Sequence, residues 1–264
     1  MARPPAPDGV VNGLREIAEA VAREAGRQLR EAFAGPRVNV TVKSSPTDLV
    51  SEADHAAERL IRERLAAARP GDGFLGEEGG DERGTSGVRW IVDPLDGTIN
   101  FLFGIPEWAV SIACEDAEGT VAGVVYDAMR DELWSAERNG PALLDGRPIA
   151  ASTRDDLATA MVATGFGYDA DVRRFQGQVV SRLLPKVRDI RRLGSAALDL
   201  AWTAAGRYDA FYERGLNSWD RAAGELLCRR AGLAVRELSP SPPAAAGILV
   251  APPGLVEQLE PLVT

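Results

Sequence analysis

Apolar residues open the chain at helical spacing: Val10, Leu14, Ile17, Val21, Leu29 and Phe33. That period predicts an amphipathic helix from Val10 to Phe33, stopped by Gly35-Pro36. The pattern then changes to alternation over Val38-Asn39-Val40-Thr41-Val42-Lys43, as in a half-buried strand. Lys43-Ser44-Ser45-Pro46 reads as a loop. Thr47-Asp48 reads as the cap of a long helix ending near Ala68, with Ala57, Leu60, Ile61 and Leu65 on one face. Gly73 to Gly76 reads as a short strand leading to Glu77-Glu78 and a glycine- and charge-rich loop, Gly79 to Gly87. The run from Val88 to Val92 has the β-branched content of a buried strand, and proline's missing N–H predicts its end at Asp93-Pro94.

Trp108 to Glu115, Thr120 to Tyr126 and Glu132 to Glu137 read as successive antiparallel strands, and Leu143 to Pro148 as a further hairpin. Past Ala151-Ser152-Thr153 the pattern alternates. Strands are expected at Thr159 to Thr164, Asp189 to Arg192, Tyr208 to Tyr212, Val235 to Leu238 and Ile248 to Ala251. Helices are expected at Val172 to Val187, Ser195 to Ala205, Ser218 to Ala231 and Gly254 to Leu262. The fold class is therefore α/β. An α+β N-terminal lobe (1–152) is expected to precede an α/β C-terminal lobe (153–264).

Charge and composition narrow the function. A chain of 264 residues can bury a large core. Its net charge of −9 argues against the basic face that nucleic-acid binding requires. No apolar run approaches a membrane span, and Met1 to Asp8 is a Pro/Ala-rich tail without a signal peptide's apolar core. Cys114 and Cys228 lie far apart in apolar surroundings, so they read as buried thiols in a cytoplasmic protein. The single histidine, His55, cannot build a histidine-based metal site and reads as a surface or partner-bonded residue.

The candidate chemistry sits at the end of the Val88–Val92 strand. Asp93 and Asp96 supply two carboxylates, Gly97 permits tight backbone geometry, and Thr98 supplies a hydroxyl with N–H groups after it. Carboxylates for hard cations beside donors for phosphate are the equipment of metal-dependent phosphoryl transfer. Alone, a D-x-x-D pair is equally the mark of a solvated turn. It is accompanied here by Gly76-Glu77-Glu78, by Asp48 to Asp54, and by Trp219-Asp220-Arg221-Ala222-Ala223-Gly224.

With these motifs in this order, from about Leu14 to Gly232, the chain resembles the inositol monophosphatase family of Mg-dependent, lithium-sensitive phosphatases. The resemblance implies a layered αβαβα sandwich and a homodimer. It implies a first Mg²⁺ held by Glu77, Asp93 and the Leu95 carbonyl, and a second held by Asp93, Asp96 and Asp220. A third ion beside Glu77 is compatible with it, and Mn²⁺ is a substitute. Asp54 and Thr98 would orient the attacking water, and the Gly97 and Thr98 N–H groups would hold phosphate. Gly194, Ser195, Ala196 and Glu213 would meet the alcohol part of the substrate, and Lys43 would approach from a loop. Glu78 is a support for Glu77 or a solvated residue.

Substrate choice is read from the residue after Gly97-Thr98. Relatives acting on histidinol phosphate or adenosine bisphosphate usually resemble D-G-T-K, whereas Ile99-Asn100-Phe101 looks more like inositol monophosphatases. The segment Arg192 to Ala197 with Ala204 to Arg207 also looks like the bacterial extragenic-suppressor type. The expected activity is hydrolysis of myo-inositol 1-phosphate. Histidinol phosphate or another small sugar or nucleotide phosphate is the alternative, and a mainly binding role a more distant one.

Overall fold

The computed structural model describes residues 13–35, 40–42 and 49–264. The expected roles of Lys43 and Asp48, the tail Met1 to Asp8 and the helix start at Val10 fall outside the described residues.

In chain order the N-terminal elements are α1 (Leu14–Ala34), β1 (Val40–Val42), β2 (Leu49–Ser51), α2 (Glu52–Ala68), β3 (Gly73–Gly76), β4 (Asp81–Glu82) and β5 (Arg89–Asp96). Then follow α3 (Thr98–Phe103), β6 (Ala109–Asp116), β7 (Gly119–Asp127), β8 (Glu132–Glu137), β9 (Leu143–Leu144) and β10 (Arg147–Pro148). The remainder is β11 (Met161–Thr164), α4 (Ala170–Leu183), β12 (Asp189–Arg191), α5 (Ala196–Ala204), β13 (Ala210–Arg214), α6 (Ser218–Arg230), β14 (Ala234–Leu238), β15 (Gly247–Ala251) and α7 (Pro253–Val263).

β3 to β10 form one eight-stranded sheet and β11 to β15 a five-stranded sheet. Side-chain alternation sorts the core into three layers. Trp90 and Val92 of β5, with Val124 and Tyr126 of β7, face the apolar stripes of α1 and α2. Ile91 and Val125, one residue out of phase, face α5 and α6 together with Trp134 of β8. Phe211, Ile248 and Val250 of the second sheet close that same layer from the far side. Tyr212, Leu249 and Ala251 face α4 and α7. The order is helix, sheet, helix, sheet, helix, the expected αβαβα sandwich. Helices α5 and α6 thus lie between the two sheets, and their N-termini border the space where β5 ends.

Three local expectations are corrected. Residues 49–51 do not continue a helix capped at Asp48: they pair antiparallel with β1, Thr41 opposite Val50, and α2 begins at Glu52. The loop after Glu78 contains β4, which pairs with β3 through Phe74 opposite Glu82. β5 does not stop at Pro94. Asp93 pairs with Ser111 and Asp96 with Ala109, so three steps along β5 match two along β6. This bulge absorbs the residue without an N–H and lets the strand run on. Both cysteines are fully buried free thiols, as expected. No helix among the described residues is long and apolar enough to cross a membrane.

Candidate active site

The bulge in β5 creates the site. In a regular strand Asp93 and Asp96 would point to opposite faces. The extra residue reverses the parity, and both carboxylates turn into one cleft of about 830 Å³. The Asp93 carboxylate is fixed locally, its Oδ1 accepting the Leu95 N–H at 3.1 Å. Gly97 follows at φ 101°, in the left-handed region, and a Cβ there would lie 2.8 Å from the Glu107 carbonyl oxygen, so glycine is required. The chain then enters α3, with Asn100 Nδ2 donating to both Glu107 O and Leu193 O.

Residues distant in sequence converge on this turn. Glu77, at the end of β3, donates its backbone N–H to Val92 O of β5 at 3.1 Å. Thr98 Oγ1 lies 2.8 Å from Asp54 Oδ1, on the first turn of α2, and 3.1 Å from Leu95 O. A hydroxyl has one hydrogen, so it donates to one of these at a time and keeps lone pairs for another partner. Asp96 Oδ2 accepts from Ser195 Oγ at 2.7 Å and from the Ala197 N–H at 2.6 Å, placing an anion at the N-terminus of α5. Asp220 caps α6, its Oδ2 accepting the Asn217 N–H at 2.6 Å.

Ten of the sequence-singled residues line the cleft: Glu77, Asp93, Leu95, Asp96, Gly97, Thr98, Gly194, Ala196, Glu213 and Asp220. Asp54 does not; it is fully buried behind Thr98. Ser195 is also buried, and its side chain serves Asp96 and the Leu198 N–H rather than the cleft. His55 is on the surface of α2, 4.0 Å from Glu78.

The sequence assigns no site role to several further residues. Phe103, Phe166, Tyr168, Arg173 and Arg192 form the outer wall, and Arg192 lies with its guanidinium carbon 5.7 Å from the Phe166 ring centre. The glycines at 165 and 167 were the available signal, since they mark a turn between β11 and α4. Asp199 on α5 is 1% exposed, and neither of its oxygens has a hydrogen-bond partner among the described residues. Loss of solvation, then repulsion from Glu213 and Asp96, pushes its carboxyl well up.

The electrostatics of the cleft are dominated by crowded carboxylates. Burial, followed by the charges of Glu77, Asp96 and Asp220, drives Asp93 well above the ordinary carboxylate range. Burial raises Asp96 to about 6 against the opposing Ser195 and Ala197 hydrogen bonds. Burial, then Asp96 and Asp220, raises Glu213 to about 8. The donor set is oxygen only, carboxylates and the Leu95 carbonyl, and it carries more negative charge than the site can keep ionised. That chemistry suits hard divalent cations such as Mg²⁺ or Mn²⁺ and not zinc. Among the described residues no group of three or more such side chains is placed to hold an ion as the side chains now stand. Asp96 and Asp220 each direct an oxygen to a helix N-terminus instead.

These shifts fix the sign of pH dependence in cation-free protein. The native state holds protons that the unfolded chain releases, so the stabilisation is full below about pH 4 and is lost as pH rises through the raised values. For Glu213 the loss is complete above about 8. Calorimetry in chelator is expected to show Tm falling by several degrees from about pH 5 to about pH 8, at roughly 2 °C per kcal/mol for this chain length. Glu213→Gln should flatten the alkaline part of that fall. A profile rising with pH would contradict the assignment.

The model of the inositol monophosphatase family matches residues 11–262. The chain belongs to the inositol monophosphatase family. An inositol-1-monophosphatase of Mycobacterium bovis is 43% identical over 272 residues, covering 96% of this chain and 94% of that protein. A protein named Nus factor SuhB of Escherichia coli K12 is 42% identical over 221 residues, 83% of each chain. The crystal structure of the extragenic suppressor protein suhB from Bartonella henselae matches with a TM-score of 0.89 and 38% identity, over 96% of this chain and 99% of that one. Family membership makes the cleft at the end of β5 the candidate phosphatase site.

Proposed function

We propose that this phosphatase hydrolyses a small phosphate monoester, myo-inositol 1-phosphate first, with Mg²⁺ as cofactor. The observation that carries the reading is the convergence of Glu77, Asp93, Asp96 and Asp220 in one cleft beside the Thr98–Asp54 pair.

Glu77, Asp93 and the Leu95 carbonyl would hold one cation; Asp93, Asp96 and Asp220 would hold a second. When bound, the cations lower the pKa of water and neutralise charge on the phosphoryl oxygens. The chain's own residues do the rest. Thr98, fixed by Asp54, offers a hydroxyl lone pair at the base of the cleft to orient the water that attacks phosphorus. The N–H groups of Gly97 and Thr98 hold phosphate oxygens. Ser195 and the Ala197 N–H keep Asp96 ionised and turned to its place, because hydrogen bonds to the charged form favour it. Glu213 and the turn at Gly194 and Ala196 line the wall where the alcohol would lie. The leaving oxygen would take its proton from a water on the side of Asp220. Among the described residues, Cys114 and Cys228 are buried away from the cleft. Attack by water therefore fits the site better than a thiol nucleophile.

Phosphate release with Mg²⁺, with and without lithium, tests the reading. The substrates are myo-inositol 1-phosphate, histidinol phosphate, adenosine 3′,5′-bisphosphate and fructose 1,6-bisphosphate. Preference for the inositol ester with lithium inhibition is expected. Preference for histidinol phosphate would keep the chemistry and change the substrate. Cytoplasmic location and a homodimer belong to the same proposal, and sedimentation of the purified protein tests the second. The Escherichia coli relative's name, a Nus factor, supports one further reading, a mainly binding role in place of catalysis. Turnover of none of the four esters by protein that binds Mg²⁺ would favour it.

A further inference from the structure

Asp54, Glu58 and Arg62 recur every four residues along α2, which stacks them in one stripe. The first takes the Thr98 hydroxyl at 2.8 Å. One turn on, Glu58 Oε2 accepts the Glu78 backbone N–H at 2.8 Å. A turn further, Arg62 donates through Nη2 to the Gly79 carbonyl at 2.6 Å and to Glu58 Oε1 at 3.3 Å. The same guanidinium pairs with Glu82 on β4, and its carbon lies 4.4 Å above the Phe74 ring of β3. Glu58 is only 4% exposed, so a buried carboxylate is directed to a backbone N–H in the loop between β3 and β4. A Cβ at either neighbouring glycine would have to displace the ends of these side chains. A Cβ on Gly76 would run into the Glu58 carboxylate, and one on Gly79 into both Glu58 and Arg62.

Glu77 lies in this loop between two anchors. On one side its own N–H bonds to Val92 of β5. On the other, the residues that follow it are held to α2. Neither Glu58 nor Arg62 lines the cleft, and Glu77 is the lining residue of the loop that they hold.

We infer that Glu58 and Arg62 are positioning residues for Glu77, and that the α2 stripe joins the Glu77 loop and the Thr98 loop into one rigid piece that sets divalent-cation affinity. This rests on the cation-dependent reading proposed above. Outer contacts that orient a ligand typically change metal affinity by about 10–100-fold when removed. Asp54 and Glu58 then act through one helix on two different groups of the site.

The test uses the intact protein and Mn²⁺ as probe, with binding followed by calorimetry and by the spin resonance of free Mn²⁺. Glu58→Ala is expected to raise the Mn²⁺ Kd about 10–100-fold, and the Mg²⁺ concentration for half-maximal phosphate release by a similar factor. At saturating Mg²⁺, kcat should stay within roughly threefold of the wild type, because the ligand itself is retained. Glu58→Gln should keep most of the affinity, since its amide oxygen still accepts the Glu78 N–H. Gly79→Ala, whose Cβ would push the Glu58 and Arg62 ends away from the loop, should reproduce part of the loss; it carries the test if Glu58→Ala fails to fold. A purely structural role would lower Tm in chelator and leave Kd unmoved. Wild-type Mn²⁺ affinity in folded Glu58→Ala and Gly79→Ala would overturn the inference, provided that Glu77→Ala weakens binding. If Glu77→Ala also binds as the wild type does, the cation reading has failed instead.

Discussion

Asp93→Asn is expected to lower kcat at least ~10³-fold while making the cation-free protein no less stable. The reasoning is electrostatic. Asp93 faces Glu77, Asp96 and Asp220 from a buried position, and that arrangement holds its carboxyl well above the normal range. Asparagine has the same shape, and its amide oxygen can still accept the Leu95 N–H that orients the side chain now. The cost of keeping a proton that the unfolded chain releases is removed, so Tm in chelator near neutral pH should hold or rise. The shared anionic ligand of both proposed cations is removed as well, so activity should collapse. Loss of activity with retained or increased stability is the signature of a strained functional site. Steady-state kinetics with calorimetry checks both halves. Residual activity above about a tenth of the wild type would contradict the role of Asp93 as a ligand to both cations.

Thr98→Ala should have the next largest effect, a fall of roughly 10²–10⁴-fold in kcat, the range for a positioned proton-handling group. Thr98 Oγ1 is the only polar atom of that side chain, and it sits between Asp54 and the Leu95 carbonyl. Serine restores the hydroxyl and should recover most of the rate. Asp54→Asn, measured alone and combined with Thr98→Ala, should show strong non-additivity, because the two act as one unit. Single-turnover kinetics at saturating Mg²⁺ separates this from weakened cation binding. Additive effects of the two substitutions would break the link between them.

Much of this architecture is legible in residue pattern. Helical spacing identifies α1, and the runs around β6, β7 and β8 follow from two-residue alternation and turn residues, with boundaries within a few positions. A helix is expected from Ser195, and Ser195 caps α5. The errors share a cause, which is that pairing partners decide them. Leu49-Val50-Ser51 reads as the start of a helix until β1 is placed beside it. Pro94 reads as a strand end because the bulge opposite Ser111 and Ala109 depends on β6, more than a dozen residues downstream. The candidate site behaves in the same way. Asp93, Asp96, Glu77 and Asp220 are found as motifs. That Ser195 is used to hold Asp96, 99 positions away, follows only from the packing of α5 against the end of β5. Asp199 offers no local signal at all: an aspartate on a helix is ordinarily solvated, and its burial comes from the sheet layers on both sides. The Glu58–Arg62 stripe is visible as a four-residue repeat, but the repeat acquires meaning only when the loop after β3 folds back onto α2.

In the proposed function, carboxylates crowded at the end of β5 are completed by divalent cations for phosphate-ester hydrolysis. The most direct measurement is phosphate release from myo-inositol 1-phosphate by chelator-treated protein, titrated with Mg²⁺. The expected result is no release without cation and a saturable return of turnover as Mg²⁺ is added, abolished in Asp93→Asn. Full turnover in chelator, or turnover in Asp93→Asn equal to that of the wild type, would contradict the account.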